Sequence, residues 1–298
     1  MASLRQLVVV ADDFGIGPET DRGILELGAS GIVSSTVLLV NSPHAEAAVA
    51  SWNRAGRPVE LGWHPALTLD RPILPAERVP SLVNEAGLFH PLGRFLRNAI
   101  LGRIRPNDVF AELRAQYGRF LELVGHPPRL VNSHQHASLF EPVTTALHEI
   151  LKCLPERPFV RRVREPRSTL RRIPGAWIKR LVLNRQGRRQ AKSLTRDGFP
   201  GCDWLAGITD PACVGDPRFF TRWLSLMPGR TVELMCHPGY LDRTLIGRDC
   251  EAEGKALSRR VREFDLLRGE EFLEVVRAAG YELVPASRVD RPIARAVA

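Results

Sequence analysis

The chain has 298 residues, of which 44% are hydrophobic and 25% are charged. This length allows one large domain or two ordinary ones, and the composition excludes general disorder. The formal net charge of +9 is concentrated between residues 157 and 196, where fourteen Lys or Arg stand against one acidic residue, Glu165. Subtracting this segment's +13 from +9 leaves −4 for the rest of the chain, so the basic character belongs to one segment.

The five cysteines are scattered and include no CxxC pair. An odd, unpatterned set predicts reduced thiols in a cytoplasmic protein rather than a disulfide framework. The apolar run at residues 7–11 is too short for the core of a signal peptide. The sequence contains no run of the ~18 apolar residues that a membrane-spanning helix needs. We therefore expect a cytoplasmic protein without a membrane span.

Apolar, strand-like runs alternate with amphipathic, helix-like segments along the chain. Strands are predicted, in chain order, at residues 7–11, 36–40, 59–64, 129–132, 159–163, 231–236 and 281–284. Helices are predicted between them at residues 18–29, 45–54, 106–124, 143–154 and 216–227, and a last helix ends at Gly280. A Pro- and Gly-rich stretch, residues 65–106, interrupts this alternation, and a loop of that length is usually functional. The pattern predicts a parallel sheet covered by helices, and about seven such units favour a closed or nearly closed barrel over a doubly wound sheet.

Side chains that bind metals or transfer protons stand where four of the predicted strands end. They are Asp12, Asp13, His64, His134, His136 and His237. Each has an ordinary structural explanation when taken alone, such as a hydrogen-bonded histidine, a turn, or an aspartate that caps the helix beginning at Pro18. Because the carboxyl ends of parallel strands meet on one rim, their joint placement predicts a functional site.

One carboxylate and two imidazoles on one rim would hold a divalent ion, with Mg²⁺, Mn²⁺, Zn²⁺ and Co²⁺ all open as candidates. Such an ion lowers the pKa of bound water and polarises a carbonyl, and the second aspartate would be free to act as a general base. This chemistry suits hydrolysis of an ester or amide, and the lack of a GxSxG motif disfavours a serine hydrolase. Two other classes stay open. They are a metal-dependent phosphoesterase and an anion- or nucleic-acid-binding protein acting through residues 157–196.

Four short motifs occur at these strand ends in a fixed order: A-D-D-F-G, G-W-H-x-x-L-T, S-H-Q-H and M-C-H-P. Together they resemble the YdjC-like carbohydrate deacetylases, and the resemblance extends over nearly the whole chain. It implies an irregular TIM-like (β/α) barrel with a Mg²⁺-dependent site that removes the acetyl group from N-acetylated sugars.

The resemblance also assigns roles to individual residues. By position, Asp13, His64 and His134 would bind the metal ion. Asp12 would be the general base, and His237 would be the acid that protonates the leaving amine.

Three further residues are candidates for contact with the substrate or with the ligand histidines: Asn132, His136 and Trp63. Members of the family often have an aspartate where this chain has Asn132. If that carboxylate orients a ligand histidine, its replacement by an amide predicts weaker polarisation of the ligand.

We expect one barrel domain over residues 1–287, with a basic insertion at about 165–196 and a flexible tail over 288–298. The size and the basic segment resemble those of the hopanoid-biosynthesis-associated deacetylases within the family. This resemblance implies a hopanoid lipid bearing N-acetylglucosamine as the substrate. The alternative is a soluble N-acetylated oligosaccharide such as a chitooligosaccharide.

Residues 173–192 bear on the choice between these substrates. On a helix, Trp177, Ile178, Leu181 and Val182 would share one face, and basic residues would crowd the others. This pattern is typical of a helix that lies on an anionic membrane, so we expect peripheral contact with the inner face of the membrane. The alternative is a solvated basic segment whose apolar stripe packs on the barrel. The sequence does not indicate an oligomeric state.

Overall fold

An eight-stranded parallel sheet forms the centre of the protein in the computed structural model, which describes residues 4–290. The strands are β1 (Arg5–Phe14), β2 (Ser35–Leu38), β3 (Glu60–Trp63), β4 (Leu130–Val131), β5 (Phe159–Val160), β6 (Trp204–Ala206), β7 (Thr231–Cys236) and β8 (Tyr281–Leu283). Their order across the sheet is β5-β4-β3-β2-β1-β7-β6. Strands β8 and β2 both pair with the same edge of β1. Strand β8 pairs with the first residues of β1, and β2 pairs with its last residues.

The sheet curls until its outer strands approach each other. The amide of Val160 donates a hydrogen bond to the carbonyl of Pro200 (2.9 Å), and the amide of Leu205 donates one to the carbonyl of Arg164 (2.9 Å). These bonds connect the segments that carry β5 and β6. The prediction of an irregular TIM-like α/β barrel is therefore confirmed.

Strand β1 lies at the centre of the sheet and is apolar on both faces, as expected for a buried parallel strand. Leu7, Val9 and Ala11 belong to the core between the sheet and the outer helices. Val8 and Val10 point to the other face and pack inside the barrel. The alternation predicts that the next even-numbered side chain, that of Asp12, also enters the barrel.

Ten α-helices surround the sheet within the described residues. They are α1 (Pro18–Ala29), α2 (Ala45–Arg54), α3 (Leu92–Ile100), α4 (Pro106–Val124), α5 (Val143–Lys152), α6 (Arg167–Arg172), α7 (Trp177–Arg196), α8 (Phe219–Leu226), α9 (Lys255–Arg268) and α10 (Glu270–Ala278). The six helices predicted outside the basic segment are present. Helices α3 and α9 and the three-residue strand β6 are not among the predicted elements. Helix α3 has apolar residues at helical spacing, Leu92, Phe95, Leu96 and Ala99, but it lies within the Pro- and Gly-rich stretch that was interpreted as a loop. No helix among residues 4–290 combines the length and the apolar character needed to cross a bilayer.

The long stretch of residues 65–106 is held against the barrel by buried polar side chains of α4. Glu112 accepts hydrogen bonds from the amides of Ile73 (2.8 Å) and Leu74 (3.1 Å). Gln116 accepts from the amide of Ala66 (3.1 Å) and donates to its carbonyl (2.7 Å). This stretch is therefore an ordered part of the rim, beside the end of β3.

The basic segment packs through one face of α7. That face buries Leu183, Ala191 and Leu194 together with a charged residue, Arg180. The Arg180 guanidinium donates to both carboxylate oxygens of Glu165 at 3.0 and 2.6 Å. Not all of the segment's positive charge therefore faces solvent.

The proposed boundary at residue 287 stays a prediction, since residues 291–298 lie outside the described part of the chain.

Removing one partner of a buried ion pair leaves the other charge without compensation, which typically costs about 3–5 kcal/mol. We expect Arg180→Met to lower the free energy of unfolding by that amount in urea denaturation. Arg185→Met is the matched control, because Arg185 lies on the exposed face of the same helix and should change stability by less than about 0.5 kcal/mol. Equal stability of the two variants would contradict an anchoring role for Arg180.

Candidate active site

Two adjacent carboxylates end the regular part of β1, and both are 3% exposed. Successive side chains of a strand point to opposite faces, so an undistorted strand could not direct both into the barrel. Asp13 instead has a left-handed backbone, with φ 67°. The register with β2 also shifts between Ala11 and Phe14. This local distortion turns the two carboxylates towards one cavity, and backbone strain of this kind is typical of functional sites.

Asp12 is held by a buried arginine that follows β5. Arg161 donates to both carboxylate oxygens of Asp12, at 2.5 and 2.8 Å, and its Nε donates to Glu233 at 2.6 Å. Burial alone would raise the pKa of Asp12, but the charge and hydrogen bonds of Arg161 outweigh it and lower the pKa to about 2. Asp12 is therefore ionised and fixed in orientation at neutral pH.

The two oxygens of Asp13 have different partners. Oδ2 accepts a hydrogen bond from Arg260 of α9 at 2.7 Å, and Oδ1 lies 2.9 Å from Nδ1 of His134. Burial opposes ionisation, but Arg260 and His134 together hold the pKa of Asp13 well below its usual range. Neither aspartate caps α1. Asp242 does so, accepting from the amides of residues 19 (2.9 Å) and 20 (3.2 Å).

Asp13, His64 and His134 form a group that could hold a metal ion. One ligand atom from each residue lies within 4.8 Å of the others, and all three residues are buried. Nε2 of His64 is 3.3 Å from Oδ1 of Asp13. Nε2 of His134 is buried and has no hydrogen-bond partner within the described part of the chain. One carboxylate oxygen and two imidazole nitrogens make a donor set that suits a divalent transition ion, so the residues present fit such an ion.

Asn132 connects this group to Asp12. Its side-chain oxygen accepts a hydrogen bond from Nδ1 of His64, which leaves Nε2 of that ring free to face Asp13. Its amide nitrogen donates to Oδ1 of Asp12 at 3.0 Å. A carboxylate at this position could accept from His64 but could not donate to Asp12. The asparagine therefore orients His64 and also holds Asp12, whereas an aspartate could only orient His64.

His134 and His136 follow β4, and neither of them lies on a strand. Strand β4 ends at Val131, and both histidines lie in a short 3-10 segment. Gln135 and His136 have left-handed backbones, with φ 51° and 57°, and this turn brings both rings to the cavity. Burial, with the positive charges of Arg161 and Lys179, lowers the pKa of His136 well below its usual range.

His237 follows β7 and also lines the cavity. Its Nε2 lies 4.0 Å from Oδ2 of Asp12, and its Nδ1 is buried without a hydrogen-bond partner among residues 4–290. Burial, reinforced by the charge of Arg259, lowers the pKa of His237 to about 4. The ring is therefore neutral at neutral pH and can donate a hydrogen bond through one nitrogen only.

Trp63 does not contribute to the site. Its side chain is completely buried and packs against Tyr117 of α4, with ring centroids 5.9 Å apart. It belongs to the core between the sheet and the helices. The strand alternation that brings its neighbour His64 to the cavity turns Trp63 away from it, so the prediction of substrate contact was wrong.

The cavity bounded by these residues has a volume of about 100 Å³. It is lined by Asp12, Asp13, His64, Ser133, His134, Gln135, His136, Lys179, Ile208, Thr209, Met235, His237 and Arg259. The sequence did not indicate Lys179 or Arg259, nor the arginines behind the cavity, Arg161 and Arg260. Arg161 directly follows β5 in the structure, but the strand predicted at residues 159–163 includes it, so its position at a strand end was not recognised. Lys179 was hidden among the other basic residues of its segment.

Comparisons with known proteins identify the family of this chain. A family model described as YdjC-like protein matches residues 6–278. The chain belongs to the YdjC-like protein family. A chitooligosaccharide deacetylase of Klebsiella pneumoniae (strain 342) is 29% identical over 283 residues, covering 94% of this chain and 97% of that protein.

Two other relatives of this YdjC-like protein are named carbohydrate deacetylases. The one from Geobacillus stearothermophilus is 32% identical over 285 residues (94% of this chain, 96% of that protein). The one from Mus musculus is 33% identical over 251 residues (79% and 78%). A crystal structure of a proposed cellobiose-phosphate cleavage protein from Enterococcus faecalis V583 has the same fold. Its TM-score is 0.72 and its identity 24%, with 95% of this chain and 98% of that chain covered. The family resemblance seen in the sequence is confirmed.

Because Asn132 orients His64, its removal should weaken metal binding without removing a ligand atom. Loss of such a supporting hydrogen bond typically lowers metal affinity by about 10–100-fold. We expect this loss for Asn132→Ala in calorimetric titrations with Co²⁺ or Zn²⁺. Asn98→Ala is the control, since Asn98 is also buried but lies on α3 outside the site. An unchanged affinity in Asn132→Ala would contradict the orienting role.

Proposed function

We propose that this YdjC-like protein is a metal-dependent hydrolase that removes the acetyl group from an N-acetylated sugar. The observation that carries the proposal is the grouping of Asp13, His64 and His134 beside an ionised, separately held Asp12 in one cavity. Because the two carboxylates have different partners, one can act as a metal ligand and the other as a general base. The names of the relatives supply the substrate class, which the site alone does not specify.

For the substrate, the relatives favour the soluble-oligosaccharide alternative over the hopanoid lipid. Those compared above are named for carbohydrates or chitooligosaccharides. The size of the cavity is consistent with either substrate. A volume of about 100 Å³ is large enough to accept an acetyl group.

In this proposal Asp13, His64 and His134 would hold the ion, which would supply a Lewis acid able to polarise the acetyl carbonyl and to lower the pKa of water. Two imidazole donors fit Zn²⁺, Co²⁺ or Mn²⁺ better than Mg²⁺, which prefers oxygen ligands. We therefore propose one of these transition ions in place of the Mg²⁺ that the family resemblance implies.

Asp12 accepts the proton of the attacking water. Arg161 binds both of its oxygens and Asn132 binds one, so the carboxylate cannot rotate away from the reacting atoms. A carboxylate with a pKa of about 2 is a weak base, so the proton that Asp12 accepts passes readily to a stronger base, the departing amine.

His237 is proposed to assist the leaving amine as a neutral hydrogen-bond donor rather than as an imidazolium acid. Its pKa of about 4 leaves too little of the protonated form at neutral pH for the acid role that the sequence suggested. Its Nε2 lies 4.0 Å from Oδ2 of Asp12, so both side chains can contact the acetamide group of the substrate. Burial, together with the charge of Arg259 in the same cavity, keeps the ring neutral.

The different roles proposed for Asp12 and Asp13 can be tested with a matched pair of variants. Asp12→Asn should lower kcat by about 10²–10⁴-fold, the usual contribution of a general base, while the bound metal content stays that of the wild type. Asp13→Asn should lose both metal and activity. Metal content by atomic emission and kcat on the same preparations test this assignment. If Asp12→Asn lost the metal, or Asp13→Asn retained it, the two roles would be assigned wrongly.

The reaction itself is tested by acetate release. The protein loaded with Zn²⁺ or Co²⁺ should release acetate from an N-acetylated chitooligosaccharide, and a chelator should abolish the release. A phosphoester such as p-nitrophenyl phosphate is the control for the phosphoesterase alternative. Metal-loaded protein that cleaves the phosphoester and releases no acetate would overturn the deacetylase proposal.

A further inference from the structure

Four large apolar side chains at the start of α7 are exposed to solvent. The exposed fractions are 61% for Trp177, 70% for Ile178, 47% for Leu181 and 45% for Val182. The alternative that this stripe packs on the barrel is therefore wrong. Contiguous exposed apolar residues on a folded protein usually mark a surface that meets another molecule or a membrane.

The stripe is held rigidly. Arg180 lies on the opposite face of the same turns and donates to Glu165 and to the carbonyls of Thr169 (3.0 Å) and Ile173 (2.6 Å). The amide of Ala176, just before the helix, donates to Asp210 at 2.5 Å. The exposure of the stripe therefore results from how the helix is anchored and not from a frayed end.

The same face of α7 becomes basic further along the helix. Arg185, Arg189 and Lys192 are exposed and follow the stripe at helical spacing. At 1.5 Å per residue, this face extends about 22 Å from Trp177 to Lys192. The one acidic residue between 157 and 196, Glu165, is buried and paired with Arg180, so it does not offset the exposed positive charge.

This combination fits one kind of partner better than the others. Aliphatic side chains next to several cations match the apolar layer and the phosphate headgroups of an anionic bilayer. A nucleic acid would leave the aliphatic residues without a matching surface. A bare apolar protein surface would leave the arginines without counter-charges.

The stripe also adjoins the cavity. Lys179 stands between Ile178 and Arg180 in the sequence and lines the cavity together with Arg259. One turn of α7 therefore contributes both a wall of the site and part of the exposed apolar surface.

We propose that the exposed face of α7, from Trp177 to Lys192, docks on an anionic lipid bilayer and places the mouth of the cavity at the membrane surface. A lipid-anchored acetamido sugar could then reach the cavity without leaving the bilayer. The docking does not depend on the proposed reaction, whereas the access to a lipid-anchored sugar rests on it.

The test is sedimentation of the full chain with phosphatidylcholine vesicles that contain about 30% phosphatidylglycerol, compared with pure phosphatidylcholine. We expect binding to the anionic vesicles and at least tenfold weaker binding to the neutral ones. Raising the salt from about 0.1 M to about 1 M shortens the Debye length from about 10 Å to about 3 Å and should weaken the binding.

Trp177→Ser with Ile178→Ser should lower the partition onto anionic vesicles at least tenfold. The matched control is Ile100→Ser with Leu101→Ser, since these residues are 86% and 55% exposed at the end of another helix, α3. The control should bind like the wild type. No binding of the wild type to either vesicle, or equal losses in both double variants, would overturn the proposal.

Acetate release from a soluble chitooligosaccharide separates this proposal from the proposed function. The Trp177/Ile178 variant should keep kcat/KM on the soluble substrate within about twofold, because neither side chain lines the cavity. Acetate release without vesicle binding would overturn the docking surface and leave the reaction intact. Vesicle binding without acetate release would overturn the proposed reaction and leave the docking surface intact.

Discussion

The structure depends on the burial of two neighbouring carboxylates at the end of a central strand. An unpaired charge in such a place would be strongly destabilising, so each aspartate needs a cation of its own. Arg161 compensates Asp12 from the end of β5, and Arg260 compensates one oxygen of Asp13 from α9. The other oxygen of Asp13 faces the two histidines. A metal ion would therefore join a site that is already largely neutralised, and the metal is not the sole reason that the aspartates can be buried.

Seven of the eight strands, and the polar residues at which four of them end, could be predicted from the sequence, because an apolar run followed by polar residues is a local signal. The barrel closure, Asp13, His64, His134 and His237 all follow from such signals. The compensating arginines could not be predicted, since Arg161 and Arg260 lie 149 and 247 residues from their partners. The sequence also did not indicate which face of its strand each side chain occupies, and Trp63 faces the helices and not the cavity.

The substitution of an asparagine for the family's usual aspartate has a different meaning in the structure than in the sequence. Read as a sequence, Asn132 is a lost carboxylate and predicts a weaker ligand. In the structure it donates to Asp12 while it accepts from His64. A third carboxylate beside Asp12 would add like-charge repulsion. The amide keeps the orienting hydrogen bond and avoids that repulsion.

The pairing of β1 has a consequence for how the protein is made. Strand β1 is synthesised long before its neighbours β7 and β8, which come from residues 231–236 and 281–283. Until these have been synthesised, the apolar faces of β1 and both of its aspartates lack most of their final partners. Contacts so distant in sequence form slowly, and unpaired apolar strands aggregate readily. The barrel therefore cannot close around β1 until residues 231–236 and 281–283 have been synthesised and paired with it.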